Sequence, residues 1–314
     1  MAEFYIPSEW WQTTQTLETE RKRASRRSSV RRYARKVWAS LKRSGEAWPV
    51  DRYVAVVGVA YPKQGSGTAV YAAETVKPII DAGTDSGLWP DDDARHRCST
   101  AYFQMPETSR PGQFRITVYV FPVPRSYRVP SRVAPGVTET RGGRTDSTPD
   151  GWTVAFAVPN DLWLTSNQTD TEMANRRSGK RSGAWGDGRS LGVREKVAGQ
   201  LTELARLTFQ DQGFTVMERF VALASVQYPR GNDSDPDNAA ETVAQILLAG
   251  AQVGAWTDVD SSHCHAVVFC KAAETCPAGY HIVGLRIIPV PADYHIAAGI
   301  ASTTLAAWER SRNE

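Results

Sequence analysis

The sequence predicts an α+β protein in which one β-α-β-α-β-β module is written twice and the two copies pair within the chain as a pseudo-dimer. The first observation behind this is an internal match. RYVAVVGVAYPK, starting at Arg52, lies over RFVALASVQYPR, starting at Arg219. Without a gap, AAETVKPIIDAGTDSGLWPDDDARH (72–96) then lies over AAETVAQILLAGAQVGAWTDVDSSH (239–263), and FRITVYVFPV (114–123) over HIVGLRIIPV (281–290). The offset is 167 throughout and about a third of the positions are identical, too long a match for coincidence. The second observation lies upstream. FYIPSEWWQTT from Phe4 resembles FAVPNDLWLTS from Phe156 at an offset of 152, so the second copy carries about fifteen extra residues around 176–190. The third is a stretch rich in Pro, Gly, Ser and Thr between the copies, which reads as a linker. The predicted units are module 1 over 1–124, the linker over 125–151, and module 2 over 152–314.

Each copy reads in the same order. A short strand comes first, over 3–6 and 154–158. A polar turn then leads to a helix, over about 16–43 and 194–212. An alternating, β-branched strand follows at 53–61 and 220–228. After a polar loop comes a second helix, 72–82 and 239–249, and then two more strands, 98–104 and 114–120 against 266–271 and 282–288. The helices are expected to pack on a mixed sheet. A final apolar helix over 296–312 is expected to cap the sheet or the junction between copies. Trp10, Trp11, Trp89, Trp163 and Trp256 recur at repeat-equivalent places and read as core or module-interface anchors.

Composition excludes several classes. Of 314 residues, 41% are hydrophobic and 23% charged, the balance of a globular protein. No apolar run approaches the roughly 18 residues that cross a bilayer, so no membrane partner is expected. The opening MAEFYIPSEWW has no basic stretch followed by an apolar one, as a secretory signal has. Four cysteines (Cys98, Cys264, Cys270, Cys276) are too few for a disulfide framework, so reduced thiols and a cytoplasmic setting are expected. His263, Cys264, His265, Cys270 and Cys276 are zinc-ligand types, but their spacing fits no zinc-finger pattern. Zinc is not expected, and His263 reads as a structural residue beside an acidic turn.

Net charge is only +3, but its distribution is uneven. Residues 21–43 hold eleven Lys or Arg and no acid. On a helix, Arg27, Arg31 and Arg35 form one stripe, with Val30, Ala34, Val37 and Leu41 on an apolar face. Cations that neutralise phosphates release counterions, so Arg23, Arg27, Arg31, Arg35 and Lys36 are candidate nucleic-acid contacts. Arg176, Arg177, Lys180 and Arg181 are a weaker counterpart in module 2. The sharpest acidic motif is Asp235-Pro236-Asp237-Asn238, just before a helix, with Asp258-Val259-Asp260 about twenty residues on. Converging carboxylates suit Mg²⁺ and phosphodiester hydrolysis, whereas the same residues also suit a simple helix cap.

This arrangement resembles the RusA-type Holliday-junction resolvases, mostly encoded by phages or prophages. Their pattern is Asp-x-Asp-Asn, a helix, then Gly, an aromatic or apolar residue and Asp-Asp. Asp235, Asp237 and Asn238 match the first part; Gly254, Trp256 and Asp258 match the second. In copy 1, Gly87, Trp89, Pro90, Asp91 and Asp92 match the second part; in copy 2, residues 159–167 match the Pro and polar turn that follow the family's opening strand. The resemblance covers nearly the whole chain. It implies a RusA-like fold and a Mg²⁺-dependent homodimeric enzyme that nicks two strands of branched DNA, each site formed mainly within one subunit.

The departures set the functional expectation. Copy 1 has Thr68, Val70 and Tyr71 in place of Asp-x-Asp-Asn. Copy 2 has Val259 in place of the second Asp of the pair, and Glu241 and Ala244 where the family places a helix Lys that copy 1 keeps as Lys77. Because the resemblance implies sites within one subunit, the two partial sites are not expected to complement each other. A shift in the loop would instead let Asp260 complete a module 2 metal site of Asp235, Asp237, Asp258 and Asp260, with Asp91 and Asp92 a weaker counterpart in module 1. The expected protein is a monomeric pseudo-resolvase that binds branched or structured DNA, with Lys77, Arg177, Lys180 and Arg181 among its DNA contacts, acting as a regulator or an anti-defence factor. The alternative is a Mg²⁺-dependent endodeoxyribonuclease with one site in module 2. A third reading sets the basic stripe against an acidic protein partner.

Overall fold

The computed structural model describes residues 1–13, 20–63, 67–127, 151–165, 191–232, 234–291 and 294. Residues 128–150 of the expected linker, the basic segment 176–181 and the expected final helix over 296–312 lie outside the described residues. Copy 1 contains β1 (Ala2–Pro7), α1 (Glu20–Ser44), β2 (Tyr53–Ala60), α2 (Ala73–Asp85), β3 (Arg97–Gln104) and β4 (Gln113–Pro122). Copy 2 contains β5 (Trp152–Pro159), α3 (Leu191–Gln210), β6 (Phe220–Gln227), α4 (Ala240–Gln252), β7 (Cys264–Lys271) and β8 (Tyr280–Pro289). The chain is therefore mixed α+β, with one mixed sheet. No described helix is long and apolar enough to cross a membrane.

All eight strands join in the order β1-β4-β2-β3-β7-β6-β8-β5. The second half of that order is the first half in reverse. The halves meet where β3 pairs antiparallel with β7, in the register Ser99↔Cys270, Ala101↔Val268, Phe103↔Ala266. Ala101 and Val268 are repeat-equivalent, and each flanking pair is the other read backwards. A strand that pairs with its own equivalent in a self-complementary register is an isologous contact, the signature of a two-fold relation. Within each copy the central strands pair parallel, β2 with β3 and β6 with β7, across a helical crossover.

Alternation places the helices. On β2, Tyr53, Ala55, Val57 and Val59 share one core with Val30, Ala34 and Trp38 of α1 and Val76, Ile79 and Ile80 of α2. The same core continues through Phe220, Ala222, Ala224 and Val226 into Val197, Leu201 and Phe209 of α3. The expected apolar face of α1 thus packs on the sheet. The opposite sheet face carries Val56, Phe103, Val221, Leu223 and Ala266.

Repeat-equivalent details fasten each copy. Thr75 Oγ1 accepts from the Gln12 amide at 2.9 Å, as Thr242 Oγ1 accepts from Leu164 at 3.0 Å. Trp11 stacks on Phe114 with centroids 3.9 Å apart, and Trp163 on His281 at 4.1 Å. Trp89 and Trp256 lie against glycines of α2 and α4: a Cβ at Gly83 would sit 1.9 Å from Trp89, and one at Gly250 2.0 Å from Trp256. Glycine is required there because the indole occupies the volume of a side chain.

Candidate functional site

The two-fold relation brings the partial sites of the two copies together. The loop from β6 to α4 carries Asp235, Asp237 and Asn238. These residues do not cap α4, whose N-cap is Ala239 without a side-chain hydrogen bond. Their side chains cross the junction and meet α2, β3 and the turn before β3. Lys77 Nζ, on α2, donates to Asp235 Oδ2 and reaches Asn238 Oδ1 at 3.4 Å and Asp92 Oδ2 at 3.9 Å. Arg97, at the start of β3, grips Asp237 with both terminal nitrogens, Nη1 to Oδ2 at 3.1 Å and Nη2 to Oδ1 at 3.0 Å. Its Nη2 also lies 3.5 Å from Asp92 and 3.7 Å from Asp235. The Tyr102 hydroxyl donates to Asp237 Oδ2. Three carboxylates and two cations therefore form one cluster, and every residue in it comes from the copy that lacks the opposite set.

Burial makes this cluster electrostatically strong. The Arg97 side chain is 0% exposed and that of Asp237 is 4% exposed, while Lys77 at 16% and Asp235 at 13% form the rim. Burial opposes ionisation of Asp237, but Arg97, Lys77 and the Tyr102 hydroxyl more than offset it and hold the carboxyl below its usual range. For Asp235, burial outweighs Lys77 and Arg97, and its affinity for a proton is raised. Burial alone would lower Lys77, yet Asp235, Asp237 and Asp92 together raise it, so it stays charged. Nearby, burial pushes Asp81 on α2 up to about 6 against the pull of Lys77. The rim opens on a cleft of about 360 Å³ between α1 and α2, lined by Arg27, Arg31, Glu74, Lys77 and Asp81.

The two-fold mate of this site is apolar. The positions equivalent to Asp235, Asp237 and Asn238 are Thr68, Val70 and Tyr71; those equivalent to Lys77, Asp92, Arg97 and Tyr102 are Ala244, Val259, Cys264 and Phe269. There Thr68 Oγ1 donates to the Val259 carbonyl, and Val70 and Phe269 are fully buried. The expectation that the halves would not complement each other is therefore overturned in geometry: they face each other within hydrogen-bonding distance, on one side only.

The structure does not bring Asp258 and Asp260 to Asp235 and Asp237. Asp258 Oδ1 accepts from the Val259 amide at 2.6 Å. Asp260 Oδ1 accepts from the Ser262 amide at 2.9 Å and faces His263 Nδ1 at 2.8 Å. Asp91 and Asp93 do the same work in copy 1, on the Asp92 and Arg95 amides. These two acidic positions shape a turn in both copies, and Asp92 alone leaves it to join the cluster. The residues that sequence reasoning missed are Arg97 and Tyr102. Their signal was present: both break the repeat, whereas Asp91/Asp258 and Asp93/Asp260 obey it. Among the cysteines, Cys264 and Cys270 are buried on β7 and their thiols are pushed up to about 12 and about 11 by burial, the protonated state of inert core residues.

The basic helix is only partly available. Arg23 is buried and pairs with Glu74 at 2.8 Å, and Arg27 reaches the same carboxylate at 2.9 Å. Arg31 makes a two-point contact with Asp85 at 2.7 and 2.8 Å, and Arg35 lies 3.9 Å from it. The stripe Arg27, Arg31, Arg35 thus faces the acids of α2. Arg21, Lys22, Arg32, Lys36 and Arg43 are exposed on the outer side of α1. Comparison with protein-family models gives no match, and no curated protein matches the chain significantly.

Proposed function

We propose that this chain is a RusA-like pseudo-resolvase that binds branched or structured DNA and does not cleave it. The observation that carries this reading is the state of the carboxylates. Mg²⁺ wants near-octahedral oxygen ligands at about 2.0–2.1 Å. In the cluster, the guanidinium of Arg97 lies among Asp92, Asp235 and Asp237 at 3.0–3.7 Å, and Lys77 closes the rim. An ion there would have to displace a wholly buried cation, so the donor set does not fit a divalent metal. Among the described residues, no group of three or more His, Cys, Asp or Glu is disposed to hold one.

Binding draws support from α1. Its outer side presents Arg21, Lys22, Arg32, Lys36 and Arg43, and Arg32, Lys36 and Arg43 share one helical face. Such a face engages phosphates with little sequence preference. The test is a gel shift with four-way junction, flap and duplex DNA across a salt series, with cleavage followed in Mg²⁺ and Mn²⁺. The expected result is a retarded complex that weakens steeply with salt, and intact strands. No complex at low salt would refute binding; nicked product lost on Asp235→Asn would refute the pseudo-resolvase reading. One observation favours the second reading, a nuclease with a single site: the two copies retain complementary halves of the family's set and assemble them on the same side of the junction. Its signature is one nick per complex in that assay.

A further inference from the structure

The cluster at the module junction holds a cation of its own. The geometry points to Arg97 as a resident replacement for a bound metal ion: its guanidinium occupies the place between Asp92, Asp235 and Asp237 that a divalent cation would take, and removing its charge opens a cation site built across the two copies. This rests on the reading that the site does not cleave, and does not depend on whether α1 binds DNA.

Four observations converge. Arg97 Nη2 is within 3.0, 3.5 and 3.7 Å of carboxylate oxygens from three different residues, a central position rather than a one-to-one pair. That nitrogen is buried and makes no hydrogen bond of good geometry, and the facing Asp92 Oδ2 is likewise buried without one. The two atoms face each other as unlike charges 3.5 Å apart, and Asp92 also shares a hydrogen bond with Asp81. The rest of the guanidinium is fixed by protein: Nε donates to the Asp92 carbonyl at 3.1 Å and Nη1 to Thr100 Oγ1 at 3.1 Å. Finally, three carboxylates face only two cations, and the equivalent of Arg97 in the mate site is Cys264, where no carboxylates remain to neutralise. The cation and the acids occur together or not at all.

A purely structural arginine and a resident cation make different predictions when the charge is removed. The full chain is titrated with Mn²⁺ by calorimetry, and its thermal midpoint is followed over the same concentrations. The unsubstituted protein is expected to show no saturable Mn²⁺ binding and no midpoint shift. Arg97→Gln is expected to bind one Mn²⁺, with a midpoint that rises with Mn²⁺ concentration, and to lose both on further Asp92→Asn. Arg97→Lys, which keeps a cation in place, is expected to behave as the unsubstituted chain. Lys77→Met, at the partly exposed rim, is expected to bind no Mn²⁺ because Arg97 remains. The inference is overturned if the unsubstituted chain or Lys77→Met binds Mn²⁺ in a manner abolished by Asp235→Asn, or if folded Arg97→Gln binds none. The unsubstituted and Lys77→Met arms stand even where Arg97→Gln fails to fold. Loss of the DNA gel shift alone leaves the inference intact.

Discussion

Replacing Asp237 by Asn tests the junction cluster most directly. The amide keeps the shape of the carboxylate and an acceptor for the Tyr102 hydroxyl, but it removes the charge and sets an NH2 donor against Arg97 Nη2. Arg97, 0% exposed, then loses the partner held at 3.0 and 3.1 Å. Removing one partner of a buried ion pair costs about 3–5 kcal/mol, because the other charge is left uncompensated. Here Asp92 at 3.5 Å and Asp235 at 3.7 Å still face the guanidinium, which places the cost near the lower bound, about 3 kcal/mol. At roughly 2–4 °C per kcal/mol for a domain of this size, the thermal midpoint falls by about 6–12 °C. The control is Asp258→Asn, whose carboxylate accepts one local amide at 2.6 Å and is expected to cost less than about 1 kcal/mol. Both are measured by urea denaturation with the slope checked for constancy and by thermal melting. Equal effects of the two substitutions, or an Asp237→Asn loss below about 1 kcal/mol, would refute the assignment of the cluster to Asp92, Asp235 and Asp237 and the buried-pair reasoning with it.

Other consequences are equally concrete. Asp81 has an ordinary value of 3.8 and is pushed up to about 6 by burial, so the folded state keeps a proton that the unfolded state loses first. Its contribution is therefore complete below about pH 4 and is lost as pH rises to about 6, by at most about 3 kcal/mol, and Asp81→Asn is expected to flatten denaturation stability across that window. Gly83→Ala and Gly250→Ala each place a methyl within 2.0 Å of an indole, and both are expected to destabilise by at least about 1–3 kcal/mol and to change the near-ultraviolet circular dichroism of Trp89 or Trp256. Single alanine substitutions at Arg32, Lys36 or Arg43 are expected to reduce the salt dependence of DNA binding by about one ion each while leaving stability within about 0.5 kcal/mol. Arg23→Ala is expected to do the reverse, since Arg23 is buried against Glu74: a stability loss with an unchanged salt slope.

Much of the architecture was legible along the chain. Alternation in YVAVVGVA and FVALASVQ marks the central strands, and the 167-residue offset carries every later element of copy 1 onto copy 2. Local periodicity and turn chemistry operate over a few residues, so one sequence displays them. The basic run was legible as charge but not as surface. Whether Arg31 meets phosphate or Asp85 depends on which face α1 turns to α2, and the apolar stripe at Val30, Ala34 and Trp38 settles that only once the sheet is in place. Asp258 and Asp260 were attractive as ligands because they are acidic and near the motif. Their equivalents Asp91 and Asp93 hold the same amides, which shows that both pairs serve the turn.

By itself, then, the sequence determined the repeat, the order of the elements and the positions at which the two copies differ. Only the tertiary structure decided that the residues in which the copies differ meet in one cluster. The deciding contact is β3 against β7 about Ala101 and Val268, which carries the β6–α4 loop of one copy to α2 and β3 of the other. The axis brings together residues 140 and 158 positions apart, contacts that leave no local periodicity to read. It is selected by the burial of a shared sheet and core and by the pairing of Arg97 and Lys77 with carboxylates that would otherwise lie buried without counter-ions.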